Sequence, residues 1–92
     1  MEAKPTQFID NGVTRVTEWR FAPGAATGWH RHEYDYVVVP LMHGRLKLVD
    51  GDGNETFAEL QAGVPYYREA GVEHDVINAN DYEFAFMEVE VK

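Results

Sequence analysis

The chain has no cysteine and no serine. The first absence excludes a disulfide framework and any thiolate metal site. The second excludes a serine nucleophile, and with it every Ser-based triad. Basic residues are scarce. Eight Lys and Arg stand against sixteen Asp and Glu, for a net charge of −8. No basic stretch exists to meet phosphate, so nucleic acid is not an expected partner, and anionic membranes are disfavoured for the same reason. No apolar run approaches the length of a membrane span. The opening residues, Met1 to Phe8, lack the apolar segment of a secretory signal, so the expected location is the cytoplasm. No window of helical length carries a 3.6-residue apolar period.

What is present is turn punctuation and short β-type stretches. Asp10-Asn11-Gly12, Pro23-Gly24, His43-Gly44, Asp50 to Asn54, Ala62-Gly63, Ala70-Gly71 and Asn78 to Asp81 break the chain at short intervals. From Val13 to Phe21 residues alternate, with Arg15, Thr17, Trp19 and Phe21 on one side. Tyr36 to Val39 is a short apolar run. Gly44–Val49 and Glu55–Leu60 flank a Gly-rich turn and read as a hairpin. Tyr82 to Val91 is the longest strand candidate, with Phe84 and Phe86 on one face and Ala85, Met87, Val89 and Val91 on the other. The pattern predicts one all-β domain over residues 1–92, a sandwich or barrel. The last strand is apolar on both faces, which predicts a second copy of the chain as partner, a homodimer about a two-fold axis.

The chemistry-bearing residues are histidines. Alternate residues of a strand point the same way, so His30 and His32 aim two imidazoles into one space. A third, His74, completes three nitrogen donors, a set that suits a divalent transition metal such as Fe, Zn, Ni or Mn. The plainer alternative is an empty site in which the three rings bond to one another or to water. His43, beside the turn glycine Gly44, reads as a surface or rim residue. Asp50 to Asn54 begins like a calcium loop. It carries Glu55 where such a loop needs Gly and Gln61 where it needs a bidentate Glu, so it reads as a hairpin turn.

The spacing runs Gly24, five residues, His30, one residue, His32, and later Gly44; then Gly63, ten residues, His74, three residues, Asn78, with Gly71 just ahead of His74. This resembles the two-part cupin signature at eight positions. The resemblance implies a jelly-roll β-barrel, usually dimeric, with the histidines in its mouth. The stretch from Pro23 to Pro40 also resembles small cupins linked with β-alanine degradation. Two positions depart from the family pattern. Its Glu ligand falls on Tyr36 or Val37 according to spacing, and its second-motif proline falls on Glu69. Val37 is expected to face the interior, with no carboxylate replacing it. Glu33 and Asp35 are minor candidates for replacement ligands.

The sequence thus predicts a metal on His30, His32 and His74, and a pocket lined by Tyr36, Val37, Asn78, Phe84 and Phe86 that takes a small molecule. Three-His cupins include dioxygenases, so a metal-dependent dioxygenase acting on a small anionic metabolite is the first functional expectation. A metal-dependent isomerase or lyase, and a non-catalytic dimeric binding module, are the alternatives. No catalytic residue beyond the ligands is assigned. Free histidine titrates near 6.5, so metal loading is expected to fall between about pH 6 and 5.

Overall fold

The computed structural model describes all residues, Met1 to Lys92. It contains nine strands and no helix: β1 (Lys4–Asp10), β2 (Thr14–Phe21), β3 (His30–Arg31), β4 (Asp35–Pro40), β5 (Gly44–Val49), β6 (Glu55–Leu60), β7 (Tyr66–Arg68), β8 (Glu73–Asn78) and β9 (Phe84–Val91). One sheet runs β1-β2-β9-β4-β7 and the other β3-β8-β5-β6, with every named pair antiparallel. Consecutive strands mostly lie in different sheets, which is the jelly-roll way of closing a barrel from short strands. The chain therefore has no helix long and apolar enough to cross a membrane.

The hairpin read from Gly44–Val49 and Glu55–Leu60 forms with those bounds. Asp50 closes its turn, its Oδ1 accepting from the backbone N–H of Asp52 (2.9 Å) and Asn54 (3.0 Å). Both bonds are those of an Asx turn. The last strand starts two residues later than the apolar pattern suggested, because Tyr82 lies in the turn and donates its hydroxyl to the carbonyl of His43 (2.8 Å).

Parity decides what fills the barrel. On β2, Arg15, Thr17, Trp19 and Phe21, which the alternation grouped on one side, face inward; on β9, Phe84 and Phe86 do. Phe21, Phe84, Leu46 and Pro40 are fully enclosed. They seal the end of the barrel where Asn78 also sits, 2% exposed. Its Nδ2 lies within bonding distance of the carbonyl oxygens of Phe21 (3.2 Å), Ala22 (3.2 Å) and Tyr82 (2.9 Å). Gly44 belongs to the same packing. A Cβ there would stand 2.7 Å from the Phe84 ring, so only glycine fits without movement.

Outward residues of the five-stranded sheet form an apolar row. Ile9 pairs with Val16, Val16 with Val89, Val89 with Val37 and Val37 with Tyr67, so the row crosses all five strands. Val37 is thus on the outer face, contrary to expectation. The inward side chains of β4 are Tyr36, Val38 and Pro40. A one-residue difference in spacing reverses the face of a strand residue, and sequence spacing alone left that choice open.

Candidate metal centre

The open end of the barrel holds the histidines. β3 is only two residues long, yet it pairs His30 directly with His74 on β8. His32 follows immediately and is fixed through its backbone. Its N–H donates to the Val72 carbonyl (2.9 Å), and its carbonyl accepts from Gly71 (2.8 Å). Gly71 has φ of 98°, a conformation open to glycine and costly for other residues. The His32 ring stacks on Tyr36, with centroids 3.8 Å apart and planes 17° apart. Tyr36 therefore occupies the inward position where the cupin signature carries its carboxylate.

The three Nε2 atoms point at one another. His30 Nε2 lies 3.0 Å from His32 Nε2, which lies 3.2 Å from His74 Nε2. All three residues offer ligand atoms within 4.8 Å of one another. His30 Nδ1 sits 2.9 Å from the Gly28 carbonyl oxygen. A carbonyl only accepts, so Nδ1 carries the proton and Nε2 keeps its lone pair. One N–H on His32 can satisfy one neighbour and leaves the other facing a lone pair. A cation between the rings removes that conflict. Nitrogens about 2.1 Å from one ion lie roughly 3.0–3.4 Å apart for ligand angles from 90° to tetrahedral, which matches the observed spacing. The donor set fits a divalent transition metal.

Electrostatics agree. Burial, then the charges of His30 and His74, push the His32 imidazole down to about 3. Burial, then His30 and Arg68, push His74 down to about 4. Both rings stay neutral at pH 7, the form that binds metal.

Behind the histidines lies a group the strand reading did not name. Parity on β9 continues from Phe84 and Phe86 to Glu88 and Glu90, which also face the barrel. Glu88 is 8% exposed, and its Oε1 lies 3.9 Å from His32 Nδ1. Burial and the Glu90 carboxylate push Glu88 up to about 8. The contact is therefore a neutral carboxyl beside a neutral imidazole, too long for a hydrogen bond, and not an ion pair. Arg15 Nε stands 3.2 Å from Glu90 Oε2 and balances its charge. His32, Glu88 and Glu90 could also hold a cation by their spacing. The Arg15 guanidinium already supplies the positive charge there.

A cavity of about 290 Å³ opens beneath the histidines. Of the five residues expected to line it, Tyr36 and Phe86 do so; Val37, Asn78 and Phe84 do not. Val37 points outward, and Asn78 and Phe84 are locked into the sealed end. Glu33 is exposed at the cavity rim. Asp35 is engaged elsewhere, accepting from the Ala70 N–H (2.8 Å). That bond, then one from Tyr67, holds its carboxyl below the usual range. His43 lies at the opposite end, where its Nδ1 accepts from the Ala62 N–H (3.2 Å).

Residues 17–90 match the cupin domain family. The chain belongs to the cupin family. This cupin is 56% identical over 91 residues to the β-alanine degradation protein BauB of Pseudomonas aeruginosa, across 99% of this chain and 95% of that protein. A cupin domain from Bordetella pertussis, solved by crystallography, superposes with a TM-score of 0.95 at 54% identity, over 99% of this chain and 94% of that one. An RmlC-like cupin with a double-stranded β-helix fold from Methanocaldococcus jannaschii gives 0.80 at 13% identity, over 97% and 79% of the two chains. That likeness speaks to the fold alone.

Proposed function

We propose that this cupin holds one divalent transition metal on the Nε2 atoms of His30, His32 and His74, and acts on a small anionic metabolite in the cavity beneath. The observation that carries the reading is the approach of three neutral imidazole nitrogens to 3.0 and 3.2 Å, with His30 oriented from behind by the Gly28 carbonyl. A metal bound there supplies Lewis acidity and, if it is iron, a redox couple. Three neutral ligands leave its charge uncompensated, which favours an anionic ligand.

The chain's own residues supply the surroundings. Trp19, Leu46, Leu48, Val76 and Phe86 line the cavity and keep water from the body of a ligand. Glu88 places a carboxyl on the wall beside His32, where Oε1 can hold or pass a proton. That group favours a reaction over simple retention. A metal-dependent dioxygenase is the first reaction class, with isomerisation or elimination through Lewis acidity as the alternative. The relative named for β-alanine degradation suits a cavity of this size, since β-alanine is itself a three-carbon carboxylate. The apolar lining favours a second reading, a module that binds a metabolite without converting it. Metal analysis of untagged protein, then oxygen uptake with short carboxylates and thiols, tests the proposal. One metal per chain, lost in His74→Ala, is expected; no metal after loading at pH 7 would refute it.

We further propose that a second copy covers the outward row Ile9, Val16, Val89, Val37 and Tyr67. Ile9 and Tyr67 are 45% and 56% exposed in the single chain, and a row this apolar on an open sheet face is an aggregation hazard. Light scattering should give a dimer mass, and Val89→Asp a monomer. A monomer for the unmodified chain at micromolar concentration would refute it.

A further inference from the structure

Among eight cationic side chains in a chain with sixteen acids, an arginine without an acidic partner runs against the odds. Arg15, Arg20, Arg31, Arg45, Lys47 and Lys92 each have a carboxylate within reach. Lys4, on the exposed edge strand β1, has none. Arg68 also has none, and it makes no side-chain hydrogen bond. It is exposed, yet it also lines the cavity. On β7 it stands opposite Tyr36, the inward residue that stacks on His32. Tyr66, on the same face, lies under the guanidinium, with Cζ 5.8 Å from the ring centroid. That contact is near the outer limit of a cation–π approach and occupies none of the N–H donors. The other two arginines lining the cavity each have a carboxylate nearby, Arg15 Nε 3.2 Å from Glu90 and Arg31 Nε 4.0 Å from Glu73, though neither approach is a hydrogen bond. Arg68 is also near enough to His74 for its charge to help keep that ring deprotonated.

We infer that Arg68 reads the anionic end of the cavity's ligand: its guanidinium takes the carboxylate of a short aliphatic acid beside His74, and the acid's body lies on the apolar lining below. The inference rests on the reading of the cavity as a small-anion site but not on the metal. A planar fork with free N–H edges matches a carboxylate in two parallel bonds, which a phosphate-free, neutral ligand cannot supply. The lining under it, Trp19, Leu48, Val76 and Phe86 among others, suits a hydrocarbon body, and about 290 Å³ is at the small end of ligand cavities.

The test uses propionate and its uncharged amide, propionamide, titrated calorimetrically into the full chain, both metal-free and zinc-loaded. Trp19 fluorescence provides a second readout, since that ring lines the cavity. Propionate should bind the unmodified protein at least about tenfold more tightly than propionamide, and Arg68→Gln should weaken propionate about ten- to hundredfold in both metal states. Arg68→Lys should fall between, because it keeps the charge and loses the fork. Zinc content should not change. Equal affinity for acid and amide, failure of propionate to bind, or an Arg68→Gln variant that binds propionate as well as the unmodified chain would each overturn the inference. The acid-against-amide comparison needs no variant, so a folding defect does not blunt it. Full zinc loading with a silent Arg68→Gln would leave the metal reading intact and remove this one. Arg68-dependent binding in a chain that takes no zinc would do the reverse.

Discussion

The two ends of this barrel are built from the same strands and serve opposite ends. At the sealed end, β2, β4, β5 and β9 bring Phe21, Pro40, Leu46 and Phe84 into contact with almost no solvent, and Asn78 ties the connecting turns together. Gly44 is there because the Phe84 ring leaves no room for a side chain. At the open end, the inward positions of the same strands carry Arg15, Tyr36, Glu88 and Glu90, and β3 and β8 add the three histidines. Polar groups that water would stabilise are instead held against each other. The sealed end stores the stability that the open end gives up, since buried imidazoles and a buried carboxyl all resist ionisation.

The sharpest way to break this contrast is at the sealed end. Phe84→Ala removes a fully enclosed ring and should cost about 3–5 kcal/mol, read by urea unfolding. A cost below about 1 kcal/mol would mean that this end does not carry the fold. The matching change at the open end is His74→Ala. Metal affinity should fall more than the roughly 10–100-fold typical of a group that only supports a ligand. Stability of the metal-free chain should change little, because the residue replaced is a desolvated polar group and not packing. A large loss of metal-free stability would blur the distinction between the two ends.

Protonation offers a smaller and more graded test on metal-free protein. Unfolded His32 gains its proton near 6.5, whereas folded His32 waits until about 3, and His74 until about 4. Their contribution to stability is present above 6.5 and is lost as pH falls from there. Glu88 acts in the other direction. Its folded carboxyl keeps a proton to about 8, against 4.5 when unfolded, so its contribution is present below 4.5 and is lost as pH rises towards 8. Between 6.5 and 8 only Glu88 titrates differently, and stability should decline by up to about 1.4 kcal/mol per pH unit. Below 6.5 the two imidazoles outweigh it. Stability should therefore peak near pH 6.5, and Glu88→Gln should flatten the alkaline side. An unchanged alkaline slope in that variant would show that Glu88 ionises freely in the folded chain.

The smallest effect concerns neighbours on β4. Val37→Glu should leave metal affinity where it was, because the side chain faces outward, and should weaken self-association. Tyr36→Glu, which places a carboxylate on the inward side against His32, should raise metal affinity in calorimetry. A gain from Val37→Glu and none from Tyr36→Glu would reverse the facing assigned to this strand.

Much of this was legible in the residues. Alternation placed Arg15, Trp19 and Phe21 on one face, the Gly-rich turn marked its hairpin, and the His-x-His pair with His74 marked the site. The same alternation extended past Phe86 would have named Glu88 and Glu90; the signal was present in Phe84-Ala85-Phe86-Met87-Glu88-Val89-Glu90. Strands β1, β3 and β7 were not legible. β1 has both faces exposed and so no alternation, and β3 and β7 are two and three residues long. Such strands exist through hydrogen bonds to a partner, and a lone sequence does not carry the partner.

By itself, then, the sequence determined the all-β class, the family and the three imidazoles, because side-chain periodicity and motif spacing are local properties of the chain. Tertiary structure alone decided which way Val37 and Tyr36 face, that Asn78 and Phe84 close one end and leave the cavity to others, and that Arg68 stands in it without an acid. Each of those depends on register between strands far apart in the chain. A shift of one residue in register exchanges the two faces of a strand, and only the packed barrel fixes it.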